Sequence, residues 1–172
     1  NDRILLSGNV GRSASGLAML QAGYNDKGGN NDNSTNLDIQ YHQRPVCAGT
    51  FGEKIAPYIN AMIDVSDGVA SEVKHICKQS KLGAVIYKEK LPLHPCTVKN
   101  AKLLNKDPYQ WALSGGEDYV LLFTITPEIY EQNKKWFKDC TVIGEMLNSS
   151  EGISLQDKNQ RKELGMGFDH FA

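Results

Sequence analysis

At 172 residues the chain has the length of one domain, and a formal net charge of −1 supplies no basic surface to hold nucleic acid or an acidic membrane. Hydrophobic residues at 40% and charged residues at 23% are the balance of a soluble protein, without an apolar run long enough to span a bilayer and without a secretory leader pattern. Asn1 is not an initiator residue, so the sequence reads as a fragment or a trimmed product.

Ile4-Leu5-Leu6 opens as a short apolar strand. Ser7-Gly8-Asn9-Val10-Gly11-Arg12-Ser13-Ala14-Ser15-Gly16 follows, and Leu17 to Leu20 reads as helix. Strand, glycine-rich turn, helix is the plan of an anion cradle, because glycines let backbone N–H groups approach oxygens closely. The glycine spacing fits neither a Walker loop nor a dinucleotide fingerprint, and a plain tight turn explains the same residues. Residues 23–36 are rich in Gly and Asn and read as a mobile polar loop without chemistry. Leu37 to Pro45 returns to order, Phe51 to Ala56 is a short helix, and Pro57 closes it.

The chain is organised around Ala61-Met62-Ile63-Asp64-Val65-Ser66-Asp67-Gly68. Side chains alternate along a strand, so Ala61, Ile63 and Val65 share one side and Met62, Asp64 and Ser66 the other. Val69, Val73, Ile76 and Cys77 then fall on one face of a helix. Two carboxylates and a hydroxyl therefore meet where a strand ends and a helix begins. Hard cations such as Mg²⁺ take carboxylate oxygens, and a helix N-terminus favours anions. The same residues also read as an ordinary helix cap beside a solvated carboxylate.

Ser80 to Gly83 reads as a helix stop, with Gly83 as its glycine, and Ala84 to Lys88 as a strand. Two prolines keep Leu91 to Pro95 out of a helix, and His94 between them reads as a packing or surface residue. Thr97 to Asn105 is a short helix with Val98, Ala101, Leu103 and Leu104 inward. Trp111-Ala112-Leu113 and Val120 to Ile125 read as strands flanking a Ser-Gly-Gly-Glu-Asp hairpin turn, which does not itself require the paired Glu117-Asp118. Pro127 opens a helix to about Lys138. Cys140 to Met146 and Ile153 to Leu155 are further strands, the latter bracketed by polar turns at 148–152 and 157–162. Gly165 to Phe171 ends in an aromatic-acid cluster suited to docking or to stacking on a flat ligand. The four cysteines, Cys47, Cys77, Cys96 and Cys140, form no paired metal motif and read as reduced, mostly buried thiols of a cytoplasmic protein. Mixed strands and helices without strict alternation give an α+β class: helices packed on a mixed sheet.

Three motifs stand in order: Ser-Gly-x-x-Gly-x-Ser-Ala-x-Gly-Leu, Ile-Asp-Val-Ser-Asp-Gly, and Ala-Leu-Ser-Gly-Gly-Glu-Asp-Tyr-x-Leu-Leu-Phe. Val142-Ile143-Gly144 and Gly167-Phe168-Asp169-His170-Phe171 complete them. From about Ile4 to Phe171 the chain resembles the thiamine-monophosphate kinase family, within the superfamily of aminoimidazole ribonucleotide synthetase. The resemblance implies that superfamily's C-terminal domain, partly ferredoxin-like, over 1–172. It implies transfer of the ATP γ-phosphoryl group to thiamine monophosphate, with Mg²⁺ and ATP. Asp64 and Asp67 match the family's Mg²⁺ ligands, Ser66 an ATP contact, Glu117 a substrate contact, and Phe168 the aromatic at the substrate's thiamine end.

The family's N-terminal half, with the ATP loop, further aspartates and the main homodimer interface, has no counterpart before Asn1. The isolated chain is therefore expected to be inactive or nearly so. Arg12 stands where many relatives are acidic. The alternatives are another ATP-dependent enzyme of the superfamily, of the aminoimidazole ribonucleotide or selenophosphate synthetase type, and a non-catalytic thiamine-phosphate-binding domain.

Overall fold

The computed structural model describes residues 1–25 and 33–164. Its strands are β1 (Arg3–Leu6), β2 (Ala61–Asp64), β3 (Gly83–Tyr87), β4 (Leu121–Ile125), β5 (Thr141–Leu147), β6 (Ile153–Asp157) and β7 (Gln160–Glu163). They form one mixed sheet in the order β2-β4-β1-β5-β3-β6-β7. Every pairing is antiparallel except β3 with β6. The helices are α1 (Arg12–Gln21), α2 (Asn33–Gln43), α3 (Gly49–Ile55), α4 (Val69–Ser80), α5 (Pro95–Leu103), α6 (Pro108–Ser114) and α7 (Pro127–Gln132). This is the α+β class the residue pattern implies.

Alternation along the strands divides the core between the two faces of the sheet. Ile4, Leu6 and Leu122 pack with Val69, Val73 and Ile76 of α4. Leu5, Phe123 and Ile125 pack on the other face with Ile55 of α3 and with Phe137. All five residues of β4 are buried, so this strand is covered on both sides. Truncating a buried aromatic such as Phe123 to Ala typically costs about 3–5 kcal/mol.

Three helices begin with the same device. Asp107, Thr126 and His94 each accept a hydrogen bond from a backbone N–H of the first turn, and proline follows each of them. Proline has no N–H to orphan at that position and a φ suited to the helix. His94 Nδ1 accepts from the Cys96 N–H at 3.2 Å, so this histidine is a half-buried cap.

The structure corrects several expectations. Residues 115–120 are not a hairpin turn: Asp107 and Pro108 start α6, and the Gly-Gly-Glu-Asp segment carries the chain from α6 into β4. The inward face of α5 is Cys96, Thr97, Asn100 and Ala101, while Val98 and Leu103 are exposed. The helix stop after α4 is Lys81, at φ 56°, with Gly83 already in β3. Residues 160–163 are strand β7, paired back on β6. The loop expected through 36 falls partly outside the described residues, and α2 begins at Asn33. Cys77 and Cys96 are buried and Cys47 is exposed. Among the described residues no helix is long and apolar enough to cross a membrane.

Candidate functional site

Register brings three connections to one end of the sheet. Leu6, the last residue of β1, pairs with Leu122, and Asp64, the last of β2, pairs with Leu121. The turn after β1, the turn after β2 and the segment entering β4 therefore lie side by side. Backbone bonds join the last two: the Glu117 N–H donates to the Ser66 carbonyl at 2.8 Å, Tyr119 to Val65 at 2.9 Å, and Val65 to Val120 at 2.8 Å. The Ser7 hydroxyl accepts from the Leu121 N–H at 2.8 Å, fixing the first turn to the same strand.

Two glycines make this proximity possible. A Cβ on Gly116 would collide with the Ser66 carbonyl oxygen. Gly68, at φ 93°, sits where a Cβ would lie 2.6 Å from the Leu113 carbonyl oxygen. Only glycine adopts that backbone without strain. Glu117 and Tyr119 are held at φ 64° and 50°, a costly region for residues with a side chain.

The turn after β2 is open. Asp64 is exposed; Ser66 and Asp67 are half-buried. Glu72, buried in the first turn of α4, reaches back, and its Oε1 accepts from the Asp67 N–H at 3.1 Å and, at a long 3.4 Å, from the Ser66 hydroxyl. Burial raises the Glu72 carboxyl above its ordinary range, against the downward pull of that N–H.

The donor set fits Mg²⁺, which takes one or two carboxylates and leaves its other positions to water and phosphate oxygens. Asp64 and Asp67 place two carboxylates at a solvent-open strand end, the number such an ion takes. Among the described residues no group of three or more His, Cys, Asp or Glu side chains is arranged to hold a metal ion.

The turn after β1 is closed. Its amides hold an anion from the chain itself: Asp118 Oδ2 accepts from the Gly11 N–H at 2.6 Å, and Oδ1 from the Ser13 N–H at 3.0 Å. Asp118 is fully buried. Burial pushes its carboxyl up to about 6, although the amides of Ser13, Gly11 and Arg12 pull the other way. The cradle in the sequence is real, and its occupant is Asp118. The adjacent pair Glu117-Asp118 is split, with Asp118 turned into the core and Glu117 left 59% exposed.

Helix α2 braces this closure. Asp38 is buried and accepts from Arg12 Nε at 3.0 Å, Ser15 Oγ at 2.8 Å, Thr97 Oγ1 at 2.9 Å and Asn100 Nδ2 at 3.4 Å. Arg12 also lies over the Tyr41 ring at 4.3 Å, so its charge is spent on α2. The Tyr41 hydroxyl donates to the Asp118 carbonyl, and burial, with Asp118 nearby, pushes that phenol to about 12. His42 Nδ1 shares a 2.8 Å hydrogen bond with the Ser13 hydroxyl and lies 3.9 Å from Glu117 Oε2.

Of the residues singled out from sequence, Asp64, Ser66, Asp67 and Glu117 thus share one end of the sheet, and Phe168 lies outside the described residues. Asp38, His42 and Glu72, and the inward role of Asp118, went unread. Glu72 had a signal, an acid in the first turn of a helix. Asp38 and His42 had none, because they stand at i and i+4 on a helix hidden in a polar stretch.

No family model matches the chain. The thiamine-monophosphate kinase of Buchnera aphidicola subsp. Schizaphis graminum is 38% identical over 177 residues, covering 99% of this chain and 53% of its own length. That of Aquifex aeolicus is 33% identical over 170 residues, covering 99% and 52%. The chain thus spans about half the length of the curated relatives it matches. Among solved structures, the thiamine monophosphate kinase from Aquifex aeolicus gives a TM-score of 0.78 at 31% identity, over 94% of this chain and 51% of that one. AaThiL complexed with AMPPCP and TMP gives 0.78 at 30% identity, over 94% and 50%. The hydrogenase maturation protein HypE, at 16% identity, a TM-score of 0.71 and 96% and 53% coverage, shares the fold.

Proposed function

We propose that this chain, homologous over nearly its whole length to thiamine-monophosphate kinases, is the part of such an enzyme that seats the acceptor and contributes to the metal and nucleotide site. The reaction is transfer of the γ-phosphoryl group of ATP to thiamine monophosphate, giving thiamine diphosphate and ADP. The observation that carries this reading is the 2.8 Å bond from the Glu117 N–H to the Ser66 carbonyl. It fixes the backbone of Glu117 beside the turn that bears Asp64, Ser66 and Asp67.

Both substrates are anions, and phosphoryl transfer is mostly a matter of positioning and charge neutralisation. Bound at Asp64 and Asp67, Mg²⁺ would supply positive charge to the phosphate oxygens. Ser66 lies at the mouth of α4, where backbone N–H groups and the helix dipole favour phosphate. Glu117 offers a carboxylate to the amino group of the thiamine pyrimidine, and Phe168 a ring face to the same end of the substrate. The remaining nucleotide and metal ligands would come from the other half of the enzyme, paired as a homodimer.

Phosphorus NMR of the full-length protein with Mg-ATP and thiamine monophosphate tests the reading. Thiamine diphosphate and ADP are the expected products. Intact ATP under those conditions, with turnover on a different acceptor, would transfer the chain to another activity of the same fold.

A further inference from the structure

We propose that His42 is a positioning residue for Glu117, setting the direction in which that carboxylate meets thiamine monophosphate; the proposal rests on the kinase reading above. The backbone of Glu117 is fixed by its own N–H on Ser66, by the Asp118 carboxylate on Gly11 and Ser13, and by the Tyr41 hydroxyl on the Asp118 carbonyl. Its side chain has no such restraint and is 59% exposed. A long carboxylate side chain loses rotamer entropy when a ligand orders it, so a contact that orders it beforehand improves binding.

His42 is the side chain that lies against it, with Nδ1 3.9 Å from Oε2, a packing distance beyond hydrogen-bond range. The ring is well placed to act as a guide. The Ser13 hydroxyl holds the same nitrogen at 2.8 Å, and α1 and α2 approach so closely that a Cβ on Gly16 would lie 2.8 Å from the His42 Cβ. With Oε2 on the imidazole side, Oε1 is the oxygen left for the acceptor. With Glu117 this exposed, the pair adds little to folding stability, which separates its role from that of the buried Asp38 on the same helix.

Calorimetry of thiamine monophosphate binding to the full-length protein, with steady-state kinetics, tests the proposal on H42A, H42N, E117Q and the double variant. H42A should weaken acceptor binding and raise its KM about tenfold, with kcat and the KM for ATP within about twofold of wild type. Asn carries a polar nitrogen near the position of Nδ1, so H42N should recover affinity to within about threefold. In the E117Q background, H42A should add less than about twofold, because a residue acting through Glu117 has nothing further to lose.

A full tenfold loss in that background, an equal fall in kcat, or an unchanged H42A affinity would each overturn the assignment. If H42A does not fold, S13A decides, since it removes only the anchor behind the ring: about a threefold loss supports the proposal, and wild-type affinity overturns it. An unsubstituted protein that binds no thiamine monophosphate would instead bring down the kinase reading, and this inference with it.

Discussion

The turns after β1 and β2 are built to one plan and put to opposite uses. Each leaves an apolar strand, passes a glycine at positive φ (Gly11 at 80°, Gly68 at 93°) and enters a helix. The first is filled by the chain's own Asp118 carboxylate, sealed from water. The second is tied by Glu72 from its own helix and leaves Asp64 exposed. A free helix N-terminus favours whatever anion arrives. Which turn is closed and which stays open to solvent is therefore decided by whether a distant part of the fold delivers a carboxylate into it.

The largest effect should come from emptying the closed turn. Replacing Asp118 with Ala orphans the buried Gly11 and Ser13 amides, and stability should fall by about 3 kcal/mol or more, read as a lower urea midpoint. The pH dependence sharpens the point. Asp118 titrates near 6 in the fold, above its ordinary value, so the stability it contributes is fully present below about pH 4. That contribution is lost as pH rises through 6. The stability difference between wild type and D118N should accordingly narrow from pH 4 to pH 7; a pH-independent difference would mean that the seat is not closed to water.

A smaller effect, on turnover instead of stability, belongs to the open turn. Asp64→Asn should cost Mg²⁺-dependent turnover of the full-length protein about 100-fold, or ~2.7 kcal/mol of transition-state stabilisation. The urea midpoint should stay within error, because the side chain is exposed. Equal losses in activity and stability would make the two turns alike.

Smallest of all should be Glu72→Gln. An amide oxygen still accepts the Asp67 N–H, so stability should change by less than about 1 kcal/mol. A loss as large as that from D118A would show Glu72 to be a sealing anion after all.

Much of this contrast was legible in the residues, and the part that was not has a physical reason. Ala61 to Cys77 could be read through because the period switches from two to 3.6 at Asp67-Gly68, a local signal. The motif at 114–119 is visible in the sequence, but its shape is not. Two glycines between apolar runs resemble a hairpin turn, yet Gly116 is small because Ser66, about fifty positions earlier, passes over it, and Gly115 because Trp111 and Ala14 crowd it. The split of Glu117 from Asp118 was likewise invisible, since the partners of Asp118 are more than a hundred positions away. The clamp formed by Asp38, Tyr41 and His42 is encoded by polar residues whose burial only the packing of α1, α2 and α5 creates.

The position of β1 carries a consequence for the life of the protein before any substrate meets it. β1 lies between β4 and β5, and Leu6 and its partner Leu122 are roughly 115 positions apart. At ribosomal rates of about 5–20 residues per second, Ile4, Leu5 and Leu6 wait on the order of 6–23 s for the strand that covers them. Pairings this distant in sequence also slow folding once synthesis is done. For that interval the nascent chain carries an apolar strand without its β4 partner. Its yield in the cell should depend on chaperone supply and temperature more steeply than the stability of the finished fold would indicate.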